Sequence, residues 1–407
     1  MKLAPLADLY ERAGPWATAY VDTSLADEAT LSRRKLEARR ISEELAGQGG
    51  DEATCRAIGE AIGAYPHGEG AAGHAVFANG GEVVLDPVLT VPPPGGSFAT
   101  WGPLPHVAPL VELAPDRPDC LVVYVDRTGA DLELRTAAAH SDQGEVRGRD
   151  WPVHRAASTD WSERHFQLSV ENTWEENART VASGVEDAVA RTGARLVVLA
   201  GDERERRTVH ERLPDALQAE VVETSHGGRA AGTDPTALDR DIEEYVRTWE
   251  QRRVSDAVER FTAARARSDG LTAAADGVPA LVEAAREHRI DVLLLKPDGP
   301  DAHREVWAGP GADQIAVRRT EARALGEPEP FSVRADDALL RSAAVTGAEA
   351  IVVGSRAGRV SDPAEDLAAD NRAAAATGPA EPEPEPVGGL GALLRWAAPD
   401  GPDQGTA

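Results

Sequence analysis

A long apolar stripe that hands over to a short, wholly apolar strand sets the first limit on this chain. Phe166, Val170, Trp174, Ala178, Val181, Val185 and Val189 recur at spacings of three and four. That spacing is one face of an amphipathic helix. Leu196–Ala200 contains no polar residue and reads as a buried strand. Two strands precede the helix, Cys120–Val125 and Asp131–Arg135. Gly201-Asp202 then turns the chain into a second helix, Glu203–Leu213, and Ala219–Glu223 gives a further strand. Strand, strand, loop, helix, strand, helix, strand predicts an α/β domain with at least some parallel pairing.

The flanks read as two more sections. Residues 1–117 begin helical and continue with a charged helix, Leu25 to Leu45. A hairpin follows, Gly73–Ala78 and Glu82–Leu85 around Asn79-Gly80-Gly81. Residues 118–253 form the middle domain, and residues 254–400 the third. In the third, the helix Val278–His288 leads to the strand Ile290–Leu295, and Asp336–Thr346 leads to Ala350–Val353. Residues 357–386 are rich in Ala, Asp, Glu and Pro and cannot bury enough apolar surface to fold. Gly388–Trp396 then returns as strand sequence, so the acidic stretch is expected to be a disordered insertion and not a tail.

The chain has 407 residues and a net charge of −26, which excludes general adhesion to nucleic acid and leaves only local basic surfaces for it. Cys55 and Cys120 fit neither a disulfide framework nor a zinc spacing. No membrane span or signal peptide is legible, and a cytoplasmic protein is expected. HExxH, GxSxG, the P-loop and the dinucleotide fingerprint are all missing, so no cofactor, metal or catalytic residue is assigned.

Two basic clusters stand out. The first is the segment 140–165, expected to be an irregular tip loop between Asp131–Arg135 and the long helix. It holds Trp151, His154, Arg155, Trp161, Arg164 and His165. Aromatics interleaved with arginine suit stacking on bases and pairing with phosphates. Trp161 can equally be a packing residue, and Trp174 on the apolar stripe reads as core. Ser158-Thr159-Asp160, with Glu163 after them, provides the helix cap. The second cluster is Arg33, Arg34, Lys35, Arg39 and Arg40, opposed only by Glu37 within that run, a candidate phosphate site on a helix. A solvated helix face is the competing reading.

Asp126, Glu133, Glu171 and Asp202 offer a rival chemistry, metal-dependent phosphodiester cleavage on an RNase H-like sheet. His154 or His165 as a general base would instead give a peptidyl-tRNA hydrolase.

Three stretches resemble one family. They are Trp161-Ser162-Glu163-Arg164-His165-Phe166-Gln167 with Trp174-Glu175-Glu176-Asn177 and Leu196–Asp202; the unit Ile290–Leu295; and the closing Gly388-Gly389-Leu390-Gly391-Ala392-Leu393-Leu394-Arg395-Trp396. The chain is similar to the archaeo-eukaryotic class-I release factors and Pelota, in the bacterial branch that includes the hibernation factor Balon. The resemblance implies three domains in a tRNA-like arrangement. The middle domain would be RNase H-like, and the C-terminal domain related to kink-turn-binding ribosomal proteins. It implies the 70S ribosome, through rRNA of both subunits, as partner, and elongation factor Tu at the C-terminal domain. The N domain would sit at the decoding site and the middle loop at the peptidyl-transferase centre. Release factors of this family carry Gly-Gly-Gln on that loop and Asn-Ile-Lys-Ser in the N domain, and this chain has neither. Gly227-Gly228-Arg229 is the nearest string, but it follows the second helix of the domain. The expectation is a stress-time occupant of the A site that protects idle ribosomes without releasing peptide.

Overall fold

The computed structural model describes residues 1–24, 30–65, 72–114, 117–136, 140–148, 160–229, 235–266, 271–297, 299–354 and 385–399. Of residues 30–32, 160–172, 271, 398 and 399 it describes the backbone alone. The chain is a mixed α/β protein and divides into two compact units, 117–253 and the remainder.

In the larger unit, a 3-10 helix, Ala4–Glu11, leads to β1 (Trp16–Asp22), then α1 (Thr30–Gly47) and α2 (Glu52–Ala64). Next come β2 (Gly73–Asn79), β3 (Glu82–Leu85), β4 (Val88–Leu89), β5 (Phe98–Gly102) and α3 (Ala108–Leu113). The expected hairpin is β2 and β3, and its turn needs Gly80 and Gly81 at φ +58° and +85°, a region open to glycine. β1 is central in the antiparallel order β3-β2-β1-β5, with β4 also on β2. Its residues alternate between two cores. Ala17, Ala19 and Val21 face Ile41, Leu45, Ile58 and Ile62 of α1 and α2. Trp16 and Tyr20 face a second core with Phe77. β1 and α2 were not legible in the sequence.

The smaller unit contains β6 (Cys120–Asp126), β7 (Gly129–Arg135), β8 (His140–Arg147), α4 (Asp160–Thr192), β9 (Leu196–Gly201), α5 (Glu203–His210), α6 (Asp215–Gln218), β10 (Val221–Thr224) and the first part of α7 (Pro235–Arg265). The sheet order is β10-β9-β6-β7-β8. β10, β9 and β6 are parallel, and β7 and β8 extend the sheet antiparallel. Both faces are covered. Leu121, Val123, Val197 and Leu199 meet Trp174, Ala178, Val181 and Val185 of α4 on one side. Cys120, Val122, Leu196 and Val198 meet Leu238, Ile242 and Val246 of α7 on the other. A strand buried on both faces must be apolar throughout, which is why Leu196–Ala200 reads as it does.

The remainder of the larger unit adds β11 (Leu271–Asp276), α8 (Val278–Arg286), β12 (Ile290–Leu295), β13 (Glu305–Ala308), β14 (Ile315–Ala316), α9 (Arg319–Ala324), β15 (Phe331–Arg334), α10 (Ala335–Val345), β16 (Glu349–Val352) and β17 (Leu390–Pro399). β17 lies between β11 and β12 in the order β11-β17-β12-β16. The last strand among the described residues is therefore interior, and the acidic stretch before it is an insertion. Residues 355–384 lie outside the described residues, whereas Glu385 and Pro386, expected inside the insertion, belong to the fold. Glu385 receives Lys296 Nζ at 2.6 Å. The first and third sections share one core, in which Tyr20 and Phe77 join Leu281, Leu339 and Leu340. Among the described residues no helix is long and apolar enough to cross a membrane.

Candidate functional site

β8 changes the expected tip loop. His140–Arg147 is not irregular but an edge strand paired antiparallel with β7. Polar residues such as His140, Asp142 and Glu145 conceal it in the sequence, because a two-sided exposed strand has no apolar alternation. At the other end α4 already begins at Asp160, so Trp161, Arg164 and His165 lie on its first turns, their side chains outside the described residues. Trp151, His154 and Arg155 lie outside the described residues altogether. Trp174 is in the core, as its place on the stripe requires.

One arginine holds the end of this sheet. Asp131 and Glu145 stand directly opposite each other across β7 and β8. Like charges so placed repel. Arg229 answers both: Nε donates to Asp131 Oδ2 at 3.0 Å and NH2 to Glu145 Oε1 at 2.6 Å. NH1 reaches both oxygens of Asp126 at 3.1 Å, and Thr128 Oγ1 at 3.1 Å. Burial raises the Asp126 pKa, but the Thr128 hydrogen bonds and the Arg229 guanidinium outweigh it and hold the carboxyl below its usual range. Gly227, at φ +85°, brings the chain close to the sheet; a Cβ there would lie 3.0 Å from Leu238 Cδ2. Gly227-Gly228-Arg229 is thus a delivery turn for this guanidinium.

The exit from β8 is also fixed. Gly148 N donates to Thr128 O at 2.7 Å. A Cβ on Gly148 would lie 2.3 Å from Cγ of Asn177, which is buried in α4 and donates Nδ2 to Arg127 O at 3.0 Å. Sequence reading placed Asn177 within a family-like string without a role. Its role is to join α4 to the β6–β7 turn and to pack on Gly148.

A cleft of roughly 690 Å³ opens beside this end, lined by Tyr124, Glu133, Arg135, His140, Gly228 and Arg229 among others. Burial and the Glu133 carboxylate push the Tyr124 phenol up to about 12.

The basic cluster on α1 is weaker than its spacing suggests. Arg39 pairs with Glu43 at 2.7 Å, and Arg40 with Glu37 at 2.7 Å and Glu44 at 2.8 Å. Arg34 NH1 donates to Tyr65 O at 2.5 Å. Helical spacing returns Glu43 and Glu44, which follow the basic run in the sequence, to the same surface. Lys35 and Arg33 are exposed, and Leu36 is 69% exposed between charged neighbours.

Among the described residues, the carboxylates considered for two-metal chemistry form no ion-holding group. Asp126 is taken by Arg229, Glu133 by Tyr124 and Arg135, and Asp202 caps α5 by accepting from Arg204 N. The side chain of Glu171 lies outside the described residues. Among the described residues, the only histidine, cysteine or carboxylate group tight enough to suggest an ion is His106, Asp336 and Asp337. There the two carboxylates are already balanced. Arg334 binds Asp336 through Nε at 3.0 Å and NH2 at 2.5 Å, and His106 binds Asp337. That is a buried ion-pair network without a spare ligand set.

Residues 119–267 match the family described as bacterial archaeo-eukaryotic release factor family 2. The chain is 27% identical over 387 residues to the proteins MT2704 and Rv2629 of two Mycobacterium tuberculosis strains, covering 95% of this chain and 94% of each relative. Among solved structures, it is similar to the archaeal translation termination factor aRF1, at 16% identity, TM-score 0.23 and 97% of both chains. It is also similar to Archaeoglobus fulgidus Pelota, at 12% identity, TM-score 0.32, and 98% and 93% of the two chains. A third is the model of ribosome-bound archaeal Pelota and ABCE1, at 14% identity, TM-score 0.37, and 97% and 94%. Through its middle unit, the chain is similar to the bacterial archaeo-eukaryotic release factors of family 2.

Proposed function

We propose that this protein binds the 70S ribosome and occupies the A site without releasing the nascent peptide. The observation that carries the reading is a release-factor middle unit in a chain with no Gly-Gly-Gln. In that family the glycine pair opens backbone conformations closed to other residues, and the glutamine helps to place water. Here the corresponding segment, between Gly148 and Asp160, offers Trp151, His154 and Arg155, which suit stacking on rRNA bases and pairing with phosphates. The N-terminal section, through Lys35 of α1, supplies a smaller phosphate contact, and Arg34, Arg39 and Arg40 serve mainly the chain's own acceptors. In this reading the C-terminal section meets elongation factor Tu. In the Balon-like reading, occupancy of this kind shields idle ribosomes under stress.

Co-sedimentation with 70S ribosomes over a salt series tests binding. A peptidyl-tRNA release assay then separates plugging from hydrolysis. Binding without release is the expected result; release at a rate above the ribosome-only control would replace occupancy with hydrolysis, for which His154 or His165 is the candidate base.

A further inference from the structure

The middle unit ends in an edge strand that should not be stable alone. β8 is polar except for Val146, which packs toward α4, and Glu145 on it faces Asp131 of β7. An edge strand with like charges against its only neighbour gains little from packing and is opposed by electrostatics. Beyond its backbone pairing with β7, a further tie comes from outside the strand pair. Arg229, only 17% exposed, spreads its fork over Asp131 and Glu145 and anchors on Asp126 at the end of β6. The fork geometry matters, because a single ammonium cannot reach three carboxylates in three directions.

We propose that Arg229 is a positioning residue: it clamps β8 to β7 and so fixes Gly148, the point at which the chain leaves the sheet toward residues 149–159. This rests on reading that segment as the ribosome-facing part of the chain. Arg229 itself need touch no RNA. Its effect passes through Glu145, Arg147 and the Gly148–Asn177 contact, all on or beside β8.

The test uses Arg229→Gln, with Arg135→Gln as the matched control. Arg135 is equally embedded, pairing with Glu133 and Asp239 at the opposite end of β7. Hydrogen–deuterium exchange and 70S co-sedimentation are measured on the same full-length samples. In Arg229→Gln, exchange at Glu145–Gly148 rises about tenfold or more, as for a locally opened strand. Ribosome binding falls about fivefold or more, as for a displaced contact segment. Arg135→Gln leaves both within about twofold, its cost being confined to the far end of the strand. Adding Asp131→Asn and Glu145→Gln to Arg229→Gln removes the repulsion and restores protection of β8. Unchanged exchange in Arg229→Gln overturns the clamp. So does faster exchange with undiminished binding, or equal loss of binding in the Arg135 control. If Arg229→Gln does not fold, Arg229→Lys is measured by the same criteria. If the wild-type chain does not bind ribosomes, the proposed function fails, and the exchange measurement alone upholds or overturns the clamp.

Discussion

His106 Nδ1 lies 3.0 Å from both carboxylate oxygens of Asp337, joining the segment after β5 to the first turn of α10. Both residues are nearly buried. The site is further held by His106 N donating to Thr18 Oγ1 and Tyr20 OH donating to His106 O. Charged and titratable groups around it are Asp336, Arg334, Arg341, Tyr10 and Tyr20.

This pair gives the larger unit a pH-dependent term. Burial opposes charge on His106, but the Asp337 carboxylate, then Asp336, outweigh it, and the imidazole pKa is raised. A raised folded-state pKa contributes stability that is complete below the unfolded value, about 6.5, and is lost as pH rises through the folded value. Urea midpoints of the wild type should therefore fall as pH rises from about 6.5 into the alkaline range. His106→Gln should lose that slope, and should cost about 1–3 kcal/mol at neutral pH. Parallel pH profiles for the two proteins would contradict it.

Gly148→Ala should destabilise the smaller unit. The new methyl would fall 2.3 Å from Asn177 Cγ, and Asn177 cannot retreat without giving up its bond to Arg127 O. Overpacking of this kind costs about 1–3 kcal/mol. Gly193→Ala is the comparison: nothing lies within 4 Å of a Cβ there, so only the strain of φ +71° is incurred. Thermal unfolding followed by a probe in the middle unit reads the difference.

The acidic insertion should be removable. A Cβ on Gly354 would be 3.3 Å from Glu385 Oε1, and Lys296 lies against both residues, so the two ends of 355–384 meet at one point. A short glycine-serine linker can bridge them, and loop shortening itself changes closure entropy little. Circular dichroism should be retained, with Tm shifted by no more than roughly 2–4 °C. A collapse of the fold on deletion would show that the insertion supplies structure.

Trp151→Ala with Arg155→Ala should weaken ribosome co-sedimentation and leave Tm unchanged. One stacked base is worth about 1–3 kcal/mol, so a loss of roughly tenfold or more is expected. Lys35→Glu should cost less and should lower the steepness of the salt dependence by about 0.7–1.8, since each lost phosphate contact removes 0.7–0.9 and a new negative charge adds to it. Equal binding by the tryptophan–arginine double variant would remove the segment from the interface.

The sequence itself determined the parts whose physics is local. The stripe from Trp174 to Val189 fixes a helix because period and burial coincide, and Leu196–Ala200 fixes an interior strand because helices cover both its faces. Asn79-Gly80-Gly81 fixes a hairpin because its turn needs positive φ. The return of apolar residues at Leu390 showed that a strand follows the insertion. Only the tertiary structure decided that this strand is interior, since strand order depends on non-local pairing. It alone decided that the polar segment His140–Arg147 is a strand, because its pairing with β7 leaves no apolar alternation and the arginine that bonds Glu145 lies 84 residues away. The same holds for His106 and Asp337, 231 positions apart. Charge partners at such separations leave no periodicity in the chain, so ionic clamps and buried pairs become visible only once the backbone has brought them together.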